Sequence, residues 1–116
     1  GFPLTAEDQL AFNRWLAQAA HDRKLSIGLM EDDTQVKDLV DVYDWAYTES
    51  CFANNACDPW RPFVKKQKAV FDVEYDFDPE TICPQGKKLK FSVIFKGMDL
   101  GGWQYSCLAP PEDEGD

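Results

Sequence analysis

The sequence predicts an α/β protein made of repeated βα units with parallel strands, and three observations carry that expectation. Short apolar or β-branched runs alternate with stretches of helical periodicity, one cycle taking roughly twenty residues. The connections are too long for hairpins and the right length for crossover helices, which places the strands parallel and the helices on a common outer face. Charged residues recur where a strand gives way to a loop: Asp32, Glu49, Glu74 and Lys96. In a parallel sheet the carboxyl ends of the strands share one rim, so these four residues are expected together there. At 116 residues the chain is one domain, whereas a closed eight-stranded α/β barrel takes about 250 residues.

The first element is a helix. Thr5 with Asp8 forms a capping-box pattern, and Phe12, Trp15, Leu16 and Ala19 recur at helical spacing, which predicts about five turns with that stripe in the core. His21, beside Arg23 and Lys24, suits the cation-tolerant end of the helix and is not expected to be a catalyst. Residues 25–30 read as a buried strand that runs into Glu31-Asp32-Asp33. Three consecutive carboxylates rarely converge on a hard cation, so capping and solvation are the expectation there.

Asp33 or Thr34 is expected to cap a second helix, with Val36, Leu39, Val40 and Tyr43 inward and Lys37, Asp38 and Asp41 outward. Residues 45–48 form the second strand, with Trp45 and Tyr47 on one face and Ala46 and Thr48 on the other. It leads through Glu49 into a loop. Pro59-Trp60-Arg61-Pro62 restarts the chain as a short helix pinned by Phe63 and Val64, with Lys65, Lys66 and Lys68 facing solvent. Residues 69–75 are the strongest strand in the chain. A brief helix over 80–83 is expected to stop at Pro84 to Gly86, and 91–95 form the fourth strand, ending on Lys96. Residues 97–107 read as a glycine-rich connection and 108–116 as an acidic flexible tail, so the folded domain is expected over 1–107.

Composition narrows the partners. A formal net charge of −9 argues against nucleic acid and suits a cationic ligand. No apolar run is long enough to span a membrane. Four cysteines and one histidine without a CxxC spacing argue against a metal site and for two disulfides, and no cofactor is expected. Of the three possible pairings, Cys51 with Cys57 and Cys83 with Cys107 is favoured, because it closes the shortest loop and ties the tail back. Disulfides imply an oxidising, secreted setting. Gly1-Phe2-Pro3 leads straight into a helix cap without a signal peptide, which reads as a mature, trimmed or excerpted chain.

Neighbouring strands lie about 4.8 Å apart. Glu49 and Glu74, ending successive strands, could therefore present two carboxyl groups at about the 5–5.5 Å used by retaining glycosidases. The sequence also carries a family likeness. Gly1-Phe2-Pro3-Leu4-Thr5 with Phe12-Asn13-Arg14-Trp15-Leu16-Ala17, then Gln35-Val36-Lys37-Asp38-Leu39-Val40, Glu49-Ser50-Cys51-Phe52, Val73-Glu74-Tyr75 and Trp103-Gln104-Tyr105-Ser106-Cys107 together resemble the C-terminal half of glycoside hydrolase family 114, the endo-α-1,4-polygalactosaminidases.

The resemblance implies a (β/α)8 TIM barrel of which this chain is approximately the second half, cleaving α-1,4-linked galactosamine polymers. It implies Glu49 as the proton donor. Its catalytic partner would be an Asp in a block upstream of Gly1, outside this chain. Asp32, Glu74, Tyr75 and Lys96 would line the sugar cleft, so for Glu74 a substrate-binding role replaces the second-carboxylate reading. Family members tend to carry Lys-Asn-Asp where this chain has Met30-Glu31-Asp32, which removes a charge partner from the cleft. The implied partners are a cationic galactosamine-containing polysaccharide and either the missing half-barrel or a second copy. The rival readings are a non-catalytic carbohydrate-binding module and a self-associating half-barrel whose unpaired sheet edges need cover.

Overall fold

The computed structural model describes residues 1–108, and much of the expected tail lies outside them. In chain order the elements are α1 (Ala6–Asp22), β1 (Gly28–Met30), α2 (Val36–Leu39, entered through a 3-10 turn at Asp33–Gln35), β2 (Trp45–Glu49), α3 (Arg61–Lys65, entered through a 3-10 turn at Asp58–Trp60), β3 (Val70–Glu74), α4 (Pro79–Leu89), β4 (Ser92–Lys96) and β5 (Gln104–Ser106). The first four strands form a parallel sheet in sequence order, with Leu29 opposite Ala46, Ala46 opposite Val70 and Val73 opposite Ile94. The α/β fold with parallel βα repeats is therefore present.

The sheet has one strand more than the sequence suggested. Residues 97–107 are not a plain connection: Gln104–Ser106 returns antiparallel along β4, with Phe95 opposite Tyr105. The reversal is made by a tight turn in which Leu100 takes a left-handed conformation (φ 53°) and the Asp99 carboxylate accepts from the Gly101 amide. A three-residue strand behind a glycine-rich turn leaves little periodicity to detect. Its effect is to cover the β4 edge, so that edge is not open as expected.

Strand alternation divides the sheet into two unlike faces. Leu29, Ala46, Val70, Val93 and Phe95 are buried in one cluster with Ala17 of α1, Val36 and Leu39 of α2, Phe63 of α3 and Ile82 of α4, so the helices share one side of the sheet. The opposite side is more open, with Met30 60% and Phe71 42% exposed. There the Trp45 ring lies over Gly28 so closely that a Cβ would meet it at 2.3 Å.

The α1 expectation needs correcting. The capping box forms as predicted, but the aromatic stripe is not core: Phe12 is 53%, Trp15 63% and Leu16 37% exposed. The buried residues are Asn13 and Ala17, one turn apart. Polar bonds explain the docking: the Tyr43 hydroxyl donates to the Asn13 carbonyl at 3.0 Å, and Gln35 Nε2 donates to the Ala6 carbonyl at 2.8 Å. Small and amide side chains let the helix approach, and the aromatic face is left outward.

Smaller corrections follow the same logic of local bonds. Neither Asp33 nor Thr34 caps α2 with its side chain. The helix over 80–83 runs on through Pro84 to Leu89, because one missing donor costs a single backbone bond while Ile82 and Gly86 hold the helix on the sheet. A Cβ at Gly86 would lie 2.8 Å from Val93 Cγ2. Lys68 does not simply face solvent: its ammonium donates to the carbonyls of Val40 at 2.6 Å and Tyr43 at 2.8 Å, just past the C-terminus of α2. Lys68→Met keeps the stem and removes both charged bonds, and is expected to cost about 1–2 kcal/mol in urea unfolding; an unchanged midpoint would reduce the contact to decoration.

Both expected disulfides are present, Cys51–Cys57 and Cys83–Cys107, and no cysteine is left free among the described residues. The first pinches the loop after β2. The second ties the residue after β5 to α4.

Candidate active site

Glu49 is the last residue of β2, and the alternation that buries Ala46 and Thr48 sends Trp45, Tyr47 and Glu49 to the open face. Its Oε1 accepts from the Tyr47 hydroxyl at 2.7 Å and from the Tyr75 hydroxyl at 2.8 Å. Its backbone amide donates to Glu31 Oε1 at 2.9 Å. Immediately after it the chain turns through Ser50 in a left-handed conformation (φ 54°), whose amide donates to the Val73 carbonyl at 2.8 Å. Glu49 thus stands where a strand ends at a sharply turned, disulfide-closed loop.

The two phenols set its charge. The bond from Tyr47, then that from Tyr75, holds the Glu49 carboxyl below the usual glutamate range, outweighing the opposing effect of burial. Reciprocally, burial and then the Glu49 bond push Tyr47 up, while the Glu49 bond and then burial push Tyr75 up. A glutamate gripped in this way is ionised at neutral pH. A general acid needs the opposite, and a second carboxylate placed nearby is the usual device that raises such a group.

The other expected rim residues are not all brought to Glu49. Tyr75 is, directly. Lys96 shares the open-face parity of Ser92 and Ile94 on β4, and its ammonium is bonded to the Gly101 carbonyl at 2.5 Å. Asp32 is half-buried and accepts from Asn13 Nδ2 at 2.8 Å, which ties it to α1; burial, the largest influence, raises its carboxyl.

Glu74 departs most from expectation. It is 0% exposed and on the helix-covered face, under the loop rather than on the open rim. The reason is parity: Glu49 pairs in register with Val73, so Glu74 lies one residue out of phase and points to the other side. Its Oε1 accepts from the amides of Phe52 at 2.7 Å and Ala53 at 3.4 Å. Asp72, which carries no expected role, is likewise 0% exposed and accepts from the Cys51 amide at 3.2 Å. Two acids two residues apart in an apolar strand were the available signal, since that spacing puts both on one face. The carboxylates lie within 4.8 Å of each other and of the Cys51 sulfur, but that sulfur is engaged in a disulfide and offers no thiolate. Tyr47 and Glu31 were also missed as site residues.

Around Phe77, after β3, an aromatic cluster forms edge to face with Phe95, Trp103 and Tyr105 at centroid distances of 5.3, 5.6 and 5.3 Å. Among the described residues, no helix is long and apolar enough to cross a membrane.

Comparison with known proteins gives two positive findings. The sequence profile of glycoside-hydrolase family GH114 matches residues 1–110. Among solved structures, the crystal structure of Aspergillus fumigatus Ega3 in complex with galactosamine is similar, with a TM-score of 0.77 and 29% identity over 92% of this chain and 48% of that one. The chain therefore spans about half the length of that protein. Among curated proteins, none matches.

Proposed function

The chain belongs to glycoside-hydrolase family GH114, and from that premise we propose that it forms part of a hydrolase of α-1,4-linked galactosamine polymers, with Glu49 as the proton donor. The observation that carries the reading is the Glu49 carboxylate, gripped by Tyr47 and Tyr75 at the end of a parallel strand on the open face of the sheet. The second catalytic carboxylate comes from a half-barrel outside this chain, packed on that open face. Its negative charge beside Glu49 supplies what the two phenols do not, a push upward into the range where the carboxyl holds a proton for the leaving oxygen.

Residues 1–107 are the domain that this chain contributes. Tyr75 lines the cleft with Asp32 and Lys96, while Glu74 supports the loop from beneath. The net charge of −9 favours a cationic polymer, and the two disulfides suit secretion. A bound galactosamine in the similar Ega3 structure supports the sugar class.

The test is release of reducing ends from deacetylated polygalactosamine by this chain together with its other half. Hydrolysis is expected, with a fully N-acetylated polymer cleaved poorly; binding of the polymer without any release would overturn the reading. That second outcome is the binding-module alternative, and it has one observation in its favour, the ionised state of Glu49 in the described residues.

A further inference from the structure

We propose that Asp72 and Glu74 share a single proton in a carboxyl–carboxylate hydrogen bond, and that this pair is a clamp positioning Glu49, gripping the loop that leaves it from the opposite side of the sheet. The positioning role rests on the reading of Glu49 given above; the shared proton does not.

The two acids are buried without compensation. Both residues are 0% exposed. Each spends one oxygen on the loop: Asp72 Oδ1 on the Cys51 amide, Glu74 Oε1 on the amides of Phe52 and Ala53. The other two oxygens, Asp72 Oδ2 and Glu74 Oε2, meet no donor. The charged groups acting on Asp72 are Glu74 and, more weakly, Glu31, both acidic. Among the described residues the ion pairs lie elsewhere, at Asp44, Asp58 and Asp41. The groups facing Asp72 from the neighbouring strands are neutral, Thr48 on β2 and Val93 on β4.

Two buried anions with carboxylate oxygens within 4.8 Å of each other and without a cation would be too costly to persist. One proton on Asp72 Oδ2, donated to Glu74 Oε2, corrects both faults: it supplies the missing donor and leaves one negative charge, which three loop amides stabilise. Burial, and next the contact with Glu74, push Asp72 up to about 8, so the proton survives through neutral pH.

The gripped amides belong to the second, third and fourth residues after Glu49, inside or next to the loop that Cys51–Cys57 closes. The Glu49 carboxylate is therefore held from the open face by Tyr47 and Tyr75, and its outgoing backbone from the covered face by the acid pair. Removing the shared proton sets two negative charges against each other beneath that loop and loosens it.

Carboxyl-carbon NMR of the oxidised chain, with amide exchange at Phe52, tests the pair without any substrate. One carboxyl should keep its proton to about pH 8, with Phe52 protection lost about tenfold per unit above that once intrinsic base catalysis is subtracted. Asp72→Asn and Glu74→Gln each replace the shared proton with a permanent N–H and should retain protection while abolishing the alkaline titration; the double variant sets two amide donors face to face and should lose protection at every pH. Both carboxyls titrating in the ordinary acid range, or calcium displacing a proton from the pair, would overturn the shared proton. Titration near 8 with Phe52 protection unchanged would overturn the clamp. With the complementing half present, the ratio of Asp72→Asn kcat to wild-type kcat should be flat below about pH 8 and rise above it, where only the wild type loses the shared proton, with KM little changed. A ratio that stays flat across that range would count against positioning of Glu49; a preparation inactive at every pH would sink the hydrolase reading and leave the proton sharing intact.

Discussion

Glu49→Gln should lower kcat of the complemented enzyme by about 10²- to 10⁴-fold, the usual loss on removing a positioned acid or base, while leaving the fold in place. Retention of fold follows from the contacts. A glutamine Oε1 still accepts from the Tyr47 and Tyr75 hydroxyls, and the Glu49 amide still meets Glu31. What disappears is the transferable proton and the charge. The phenol variants separate these effects: Tyr47→Phe or Tyr75→Phe removes one of the two bonds that hold the carboxyl down, so Glu49 keeps its proton to higher pH and the alkaline limb of the pH profile, which loss of that proton sets, moves up. The sign is fixed by the depressed value. A carboxylate held low when folded contributes stability that is present above its unfolded range and lost as pH falls through the folded value, so wild type should lose more stability on acidification than Glu49→Gln does. Activity in the glutamine variant equal to wild type would remove Glu49 from the chemistry altogether.

How far the sequence revealed this site depended on whether a signal was local. Strand and helix order were legible because each crossover carries its own periodicity, and the inward set Val36, Leu39, Val40 and Tyr43 was readable as a helical stripe. The prominence of Glu49 was readable from its place at a strand end, and both disulfides from loop length. The roles of Glu74 and Asp72 were not. They depend on inter-strand register, and a shift of one residue decides whether a side chain meets the cleft or the helix layer. The α1 stripe misled for a different reason: hydrophobic spacing shows that a face seeks cover but not what supplies it, and here α1 docks through the small Ala17 and through polar bonds made by Asn13 and Gln35. Strand β5 was lost behind its glycine-rich turn because antiparallel pairing of three residues leaves almost no pattern.

Breaking the two disulfides separately should give unequal losses in stability and the reverse order in function. In the loop-entropy account, Cys83–Cys107, with a sequence separation of 24, contributes about 3–4 kcal/mol, and Cys51–Cys57, with a separation of 6, about 2–2.5 kcal/mol. Against a total of about 5–15 kcal/mol for a small domain, the larger of these is a substantial share. Cys83→Ala with Cys107→Ala should therefore lower Tm the more in calorimetry, on the order of 15 °C, with β5 exchanging its amides first because its hold on α4 is gone. The Cys51 and Cys57 pair should matter more at the site. Its loop carries the amides that Asp72 and Glu74 grip, and opening it frees Phe52 to leave the acid pair while the sheet below stays folded. Cys51→Ala with Cys57→Ala is thus expected to cost less in Tm and more in kcat than the other pair. Equal effects on kcat from the two double variants would mean that the loop is held by the buried carboxyls alone, and that the disulfide only stabilises the unliganded fold.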